Sequence, residues 1–168
     1  KKIAFVTGMT GQDGPYLAKH LLDNDYKVYG LVKRYSNPNL SNLDYLGIEN
    51  KIELITGDIT DDSNMNHLIK TLRPNEFYNL AAQSFVGASW ELNKTTTEVN
   101  ALGVLNILNA IVGHNPTTKF YQASTSELYG NSTINGVQDE KTPFHPRSPY
   151  GISKLYAYWM TVNFRESY

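Results

Sequence analysis

The chain of 168 residues contains no cysteine, which excludes disulfide bridges, thiolate zinc sites, iron–sulfur clusters and a cysteine nucleophile. It also lacks a charge imbalance, because 15 Lys and Arg stand against 16 Asp and Glu, so a broad surface for nucleic-acid phosphates is not expected. No apolar run approaches the roughly 18 residues of a membrane-spanning helix or forms a signal peptide. The 4 histidines are scattered without ligand spacing, which predicts no metal site. We therefore expect a cytoplasmic globular protein without nucleic-acid or membrane partners.

Short β-rich segments alternate with longer segments that have helical periodicity. This alternation predicts βαβ units, and hence an α/β fold with a parallel sheet covered by helices on both faces. Two longer irregular stretches, 33–50 and 128–147, have the length of functional loops. The predicted strands are 3–7, 27–32, 52–56, 76–80 and 120–124, and the predicted helices are 15–22, 61–72, 95–112 and a last one from 148 to the end of the chain.

Three glycines at intervals of three follow the first predicted strand and precede a predicted helix. Gly8 would allow a tight turn, Gly11 the close approach of a phosphate, and Gly14 the packing of helix on strand. Glycine triplets also occur in purely structural turns, but a strand before and a helix N-terminus after the turn favour the binding of a dinucleotide pyrophosphate. The residues predicted to contact the dinucleotide here are Gly8, Thr10, Gly11, Gln12, Asp13 and Gly14.

The end of the second predicted strand indicates which dinucleotide is bound. A carboxylate that would accept from a ribose 2′-OH is missing there, and Lys33, Arg34 and Ser36 stand in its place. Two cations and a hydroxyl suit a 2′-phosphate, so we predict NADP, with ordinary surface charges as the alternative. Two further groups of residues are predicted to contact the cofactor. Asp58 follows the third strand and could equally cap a helix. Small residues, Ala81 and Ala82, follow the fourth strand and could serve packing alone. The further predicted cofactor contacts are Asp58, Ile59, Leu80, Ala81, Ala82 and Gln83.

A tyrosine and a lysine lie four residues apart at the start of the last predicted helix. In a helix this spacing places Tyr150 and Lys154 on one face, where the ammonium favours the phenolate and makes the tyrosine usable as a base. The pair alone is weak, but Thr125, Ser126 and Glu127 follow the fifth predicted strand. Active sites of open α/β sheets lie at such carboxyl ends, so these residues are predicted to form one site.

Together these motifs resemble the extended short-chain dehydrogenase/reductases, and within that family the GDP-mannose 4,6-dehydratases. The resemblance implies a Rossmann-type doubly wound sheet over residues 1–168, which would be the NADP-binding domain together with the catalytic residues. Chains of this family are longer, so most of the nucleotide-sugar domain is expected to lie outside these residues. The stretches that carry the resemblance are TGMTGQDG at 7–14, GLVKRYSN at 30–37, YNLAAQSFV at 78–86, FYQASTSELYG at 120–130 and PFHPRSPYGISKLYAYWMTVNFRES at 143–167.

The resemblance implies a self-contained redox cycle that converts GDP-mannose to GDP-4-keto-6-deoxymannose. Its implied catalytic residues are Thr125, Glu127, Tyr150 and Lys154. In that cycle Tyr150 removes the O4 proton while C4 gives hydride to NADP, and Thr125 hydrogen-bonds the oxygen. Glu127 then moves a proton from C5 to the C6 hydroxyl, water leaves, and hydride returns to C6.

The resemblance also implies contacts outside the proton-transfer steps. Residues 34–44 would contact a second subunit in a homodimer or homotetramer. The alternatives are an NADP-dependent nucleotide-sugar reductase or epimerase, which needs no Glu127, and a dehydratase of another GDP-sugar such as a GDP-heptose. The implied substrate contacts are Ser84, Ser126, Glu127 and Tyr150, and Tyr150 and Lys154 would also contact the cofactor.

Overall fold

The computed structural model describes residues 1–34 and 38–168. These residues group into two compact units. The first unit comprises residues 1–81 and 106–123, and the second comprises 82–105 and 124–168. A single cofactor-binding domain over residues 1–168 stays a prediction.

The described residues of the first unit form a five-stranded parallel sheet, in which the strands lie side by side in the order third, second, first, fourth and fifth along the chain. The first two predicted strands are confirmed, whereas the other three differ by one or two residues at their ends. The fourth strand ends one residue early because the amide of Leu80 turns away to donate to the hydroxyl of Thr7. The strands are β1 Ile3–Thr7, β2 Lys27–Val32, β3 Glu53–Thr56, β4 Glu76–Asn79 and β5 Lys119–Gln122.

The residues that the structure describes contain six α-helices. The stretch 33–50 was predicted as irregular, but it contains a short α-helix, Ser41–Tyr45, and a 3₁₀ turn, Glu49–Lys51, begins within it. The reason is that Leu43 is fully buried and anchors this segment in the core. The helix predicted over 95–112 is wrong as a single α-helix, since Glu98–Leu102 is a π-helix. The α-helices are α1 Asp13–Asp23, α2 Ser41–Tyr45, α3 Asp62–Leu72, α4 Asn93–Thr97, α5 Gly103–His114 and α6 Pro149–Ser167.

The core of the first unit is built from alternate faces of the sheet. On one face Phe5 and Phe77 are fully buried, with ring centroids 4.9 Å apart in an edge-to-face arrangement. On the other face the side chains of Ala4 and Val6 join Val28 and the buried side of α1 in one apolar cluster. Burial on both faces explains why successive residues of these strands are apolar.

In the second unit, α6 packs against α4, the π-helix and a 3₁₀ turn, Ser126–Leu128. The loop that follows this turn is attached to α6 through aromatic rings. Phe144 lies 5.5 Å from Tyr129, 4.9 Å from Tyr158 and 6.1 Å from Trp159, measured between ring centroids. The segment 128–147 is therefore irregular, and Tyr129 and Phe144 pack near its two ends, whereas residues 133–141 are exposed.

Two absences concern only residues 1–34 and 38–168. No helix in these ranges has the length and apolar character needed to cross a membrane. Within the same ranges, no cluster of three or more His, Asp or Glu side chains could hold a metal ion.

Candidate active site

The turn between β1 and α1 is so compact that two of its glycines have no room for a side chain. Gly8 has a φ of +69°, and a Cβ on it would lie 2.8 Å from the carbonyl carbon of Leu80. A Cβ on Gly14 would lie 2.5 Å from the carbonyl oxygen of Gly8. At the N-terminus of α1, Gln12 makes no side-chain capping hydrogen bond, which leaves the first amides of this helix available to an anion. The turn therefore fits a pyrophosphate.

A buried polar chain that the sequence analysis missed fixes the carboxyl ends of the central strands. The hydroxyl of Thr7 donates to Oδ1 of Asn79 (2.6 Å) and accepts from the amides of Leu80 and Ala81 (3.1 Å each). Asn79 in turn donates to Oε1 of Gln122 (2.8 Å). The signal was a Thr at the end of the apolar strand β1 and an Asn at the end of β4, two residues after the buried Phe77.

An open cleft of about 630 Å³ lies at the carboxyl ends of β2 and β3. It is lined by both predicted cations, but Lys33 pairs with Asp58 (Nζ to Oδ2, 3.3 Å). Arg34 has no carboxylate partner among residues 1–34 and 38–168. The full lining is Lys33, Arg34, Gly57, Asp58, Asp61 and Asn64.

Asp58 is held by its own loop and does not cap α3. Its Oδ1 accepts from the amide (2.9 Å) and the hydroxyl (2.8 Å) of Thr60, whereas Asp61 is the residue that caps α3. Partial burial alone would raise the pKa of Asp58, but the hydrogen bonds from Thr60 and the Lys33 ammonium outweigh it and lower the pKa. The carboxylate is therefore ionised and oriented at the edge of the cleft.

The remaining cofactor residues predicted in the first unit have varied environments. Thr10 is half-buried in the glycine turn, and Ala81 is half-buried after β4. Ile59 is buried, and its carbonyl accepts from Nδ2 of Asn106 (3.0 Å). Ser36 lies outside the described residues, as do two other members, 35 and 37, of the predicted subunit contact 34–44.

In the second unit, the first two turns of α6 carry the tyrosine and the lysine. Ser148 caps the helix by accepting from the amide of Gly151 (3.0 Å), and Pro149 occupies the first turn. Tyr150 and Lys154 are 8% and 4% exposed, and the ammonium lies 5.9 Å from the centre of the phenol ring. Burial lowers the pKa of Lys154 to about 8. The predicted shared face is confirmed, and the lysine stays mainly protonated at neutral pH.

The predicted Thr and Glu lie on the 3₁₀ turn Ser126–Leu128 of the same unit. Thr125 caps this turn, since its hydroxyl accepts from the amide of Glu127 (3.2 Å). The carbonyl oxygen of Glu127 lies so close to α6 that a Cβ on Gly151 would be 3.0 Å from it. The backbone that carries Glu127 therefore adjoins the helix turn that carries Tyr150, while Ser126 is exposed.

The segment after β4 contains Ser84, which is exposed as a substrate contact would need to be. The neighbouring Gln83 was predicted to contact the cofactor, but its side chain bonds to Phe85 and to Thr96. Thr96 and Asn100, both buried, are functional candidates that the sequence analysis missed. Their four-residue spacing on a predicted helix was the available signal, because two polar residues recur there on the apolar side.

The strand order, the glycine turn and the spacing of Tyr150 and Lys154 define the class of protein: a Rossmann-type fold of the short-chain dehydrogenase/reductases. The chain belongs to the GDP-mannose 4,6 dehydratase family, whose profile matches residues 5–168.

Individual relatives agree with this membership. The GDP-mannose 4,6 dehydratase of Drosophila melanogaster is 46% identical over 175 residues, which cover 99% of this chain and 44% of that protein. The UDP-glucose 4-epimerase of Thermotoga maritima, solved with UDP-glucose, is 27% identical with a TM-score of 0.87, covering 99% of this chain and 52% of that one. The dTDP-glucose 4,6-dehydratase of Bacillus anthracis, solved with NAD, is 25% identical with a TM-score of 0.83, covering 100% and 52%. The chain thus spans about half the length of the curated relatives it matches.

Proposed function

We propose that the protein is a GDP-mannose 4,6-dehydratase, a lyase that forms GDP-4-keto-6-deoxymannose with NADP. One arrangement in the second unit carries the proposal: the Thr125-capped turn with Glu127 adjoins the first turn of α6, which carries Tyr150, and Lys154 follows one turn later. A binding module would need neither the buried lysine nor the carboxylate. Family membership and the Drosophila relative support the same assignment.

The nicotinamide cofactor is proposed from the first unit. The glycine turn would hold the pyrophosphate, and the ionised Asp58 would face the adenosine half. The Bacillus anthracis relative was solved with NAD, which supports a nicotinamide cofactor in this family. The choice of NADP rests on Arg34, whose guanidinium has no carboxylate partner among the described residues and suits a 2′-phosphate. When bound, NADP would supply the hydride acceptor and donor for an internal oxidation and reduction.

The side chains of the second unit would perform the proton transfers. Tyr150 would take the proton from the sugar 4-hydroxyl, helped by the protonated Lys154, which favours the phenolate. Thr125 would hydrogen-bond the same oxygen. The resulting 4-ketone acidifies the C5 hydrogen, so Glu127 could take that proton and deliver it to the 6-hydroxyl as water leaves. The cycle consumes no net reductant.

A second candidate is a nucleotide-sugar epimerase, because a UDP-glucose 4-epimerase shares this fold at a TM-score of 0.87. An epimerase moves hydride at C4 alone and has no C5 proton to transfer. Glu127 is therefore the residue that separates the two candidates.

The test uses the full-length protein with GDP-mannose and catalytic NADP, followed by mass spectrometry of the sugar nucleotide. We expect loss of one water without net NADPH, and a rate at least about 100-fold lower for Glu127→Gln, which is typical of a missing general acid–base. The matched control is Glu140→Gln, since Glu140 is exposed in the loop 128–147 and should leave the rate unchanged. If the mass of GDP-mannose is unchanged but a GDP-heptose loses water, the substrate is the GDP-heptose. Inversion at C4 would instead favour the epimerase.

Two further parts of the proposal concern the whole protein. A homodimer or homotetramer is proposed, and analytical ultracentrifugation of the full-length protein would decide its size. The cytoplasmic location stays a prediction from the sequence.

A further inference from the structure

Gln83 is the most heavily engaged polar residue of the segment that carries the exposed Ser84. Its side-chain Oε1 accepts from the amide of Phe85 (2.7 Å), and its Nε2 donates to the carbonyl of Phe85 (3.2 Å). The side chain thus bridges over Ser84 and bonds both backbone polar groups of the next residue. Its other Nε2 hydrogen is used by the hydroxyl of Thr96 (3.0 Å).

The backbone of Gln83 is fixed as firmly as its side chain. Oδ1 of Asn100 accepts from the amide of Gln83 (2.8 Å), and Nδ2 of Asn100 donates to its carbonyl (3.0 Å). Asn100 is 1% exposed and lies in the π-helix Glu98–Leu102, a rare element that is frequent at functional sites. Thr96 precedes it by one helical turn and is 0% exposed. The segment 83–85 is therefore clamped from within the second unit, while the side chains of Ser84 and Phe85 stay exposed.

We propose that Gln83 is a positioning residue for the sugar nucleotide, acting through the clamp that it forms with Thr96 and Asn100 around Ser84. This inference rests on the proposed function and on the contact between Ser84 and the GDP-linked sugar that the family resemblance implies. Both Nε2 hydrogens of Gln83 form hydrogen bonds within the protein, so its side chain has no hydrogen left to donate to a cofactor. Gln83 instead holds the backbone on either side of Ser84 before substrate arrives, which lowers the ordering cost of binding.

The experiment compares three variants of the full-length enzyme with a matched control. Gln83→Met keeps the chain length but removes the amide, Gln83→Glu keeps the acceptor for the amide of Phe85, and Thr96→Val removes only a hydroxyl. The control is Thr97→Val, because Thr97 is the exposed neighbour whose hydroxyl bonds within its own helix to Asn93 (2.9 Å). KM and kcat for GDP-mannose and the Kd of NADP are measured for each variant.

We expect Gln83→Met to raise KM for GDP-mannose about tenfold, equivalent to about 1.4 kcal/mol, with kcat and the Kd of NADP changed less than about twofold. Thr96→Val should raise KM by a smaller factor, Gln83→Glu should lie between wild type and Gln83→Met, and Thr97→Val should match wild type. If Gln83→Met does not fold, the ordering of the other two variants against the control decides the matter. A rise in the Kd of NADP with KM unchanged would overturn the proposal, because it would mean that Gln83 contacts the cofactor directly.

Hydrogen exchange separates this inference from the proposed function. The amide of Phe85 is protected by Oε1 of Gln83, so Gln83→Met should speed its exchange whether or not the protein turns over GDP-mannose. If wild type does not dehydrate GDP-mannose but this amide responds, the proposed function fails while the clamp stands. Unchanged exchange at Phe85 in Gln83→Met would refute the clamp itself.

Discussion

Replacing Thr7 by valine removes one hydroxyl from the centre of the first unit without changing the shape of the side chain. Thr7 is fully buried at the end of β1, and its hydroxyl joins three groups of the neighbouring strand end. Valine would leave Oδ1 of Asn79 without this donor, and the amides of Leu80 and Ala81 without this acceptor. The same strand end forms the wall against which Gly8 packs.

The expected loss follows from these three groups. A buried polar group left without a partner costs about 1–3 kcal/mol, and a hydrogen bond that water can replace costs much less. Asn79 is fully buried and bears the full penalty, whereas Leu80 and Ala81 are half-buried and reach water in part. We therefore expect Thr7→Val to lower the free energy of unfolding by about 3 kcal/mol.

Urea denaturation of the full-length protein measures this loss, with Thr56→Val as the matched control because Thr56 is exposed on β3 of the same sheet. The midpoint for Thr7→Val should fall by about 1 M or more, given slopes of about 1–3 kcal/mol/M. NADP should also bind more weakly, since Gly8 of the glycine turn packs against this strand end. A loss below about 1 kcal/mol, or one equal to that of Thr56→Val, would refute the argument that the hydroxyl orders the strand ends.

The remaining predictions concern two ionisable groups. Burial lowers the pKa of Lys154 from 10.5 to about 8, so folding disfavours the charged form of this lysine. Lys154→Met should therefore stabilise the protein by up to about 3 kcal/mol near pH 7, while it abolishes activity. This gain in stability should shrink as the pH rises from 8 towards 10.5. Urea midpoints across that range check this, and a variant that is less stable than wild type near neutrality would contradict it. Glu76 accepts from the phenols of Tyr78 (2.6 Å) and Tyr26 (2.8 Å), and the bond from Tyr78 is the main cause that lowers its pKa. This stabilisation is present above the ordinary pKa of 4.5 and is lost as pH falls through the lowered value, so Glu76→Gln should be less stable than wild type near neutral pH and the difference should vanish in acid, as urea midpoints at both pH values would reveal.

Much of the first unit could be predicted because its signals are local. The first two strands were predicted to the residue, with Gly8 directly after β1 and with Asn24 and Asp25 shortly before β2. The glycine turn follows from three glycines, and the spacing of these glycines has a steric reason. The Tyr150 and Lys154 pair was equally local, since four residues make one helical turn. Residue spacing along the chain was sufficient in each case.

Pairings between distant segments could not be predicted in the same way. Lys33 was assigned to a phosphate, but the fold places Asp58 beside it, across 25 positions of the chain. Gln83 was assigned to the cofactor, but its side chain is used by Phe85 and Thr96. The π-helix was missed because a helical period in apolar residues does not distinguish an i+4 from an i+5 hydrogen bond.

By itself, the sequence determined the parallel α/β class, the glycine turn and the shared face of Tyr150 and Lys154, because strand alternation and helix spacing depend only on backbone geometry. Only the tertiary structure decided which polar groups are engaged with one another. It joined Thr7 to Asn79 and Gln83 to Asn100 by hydrogen bonds, and it placed the carbonyl of Glu127 beside Gly151 of α6. The physical reason is that a buried polar group must find a partner within hydrogen-bond reach, and which partner lies within reach is a property of the folded backbone.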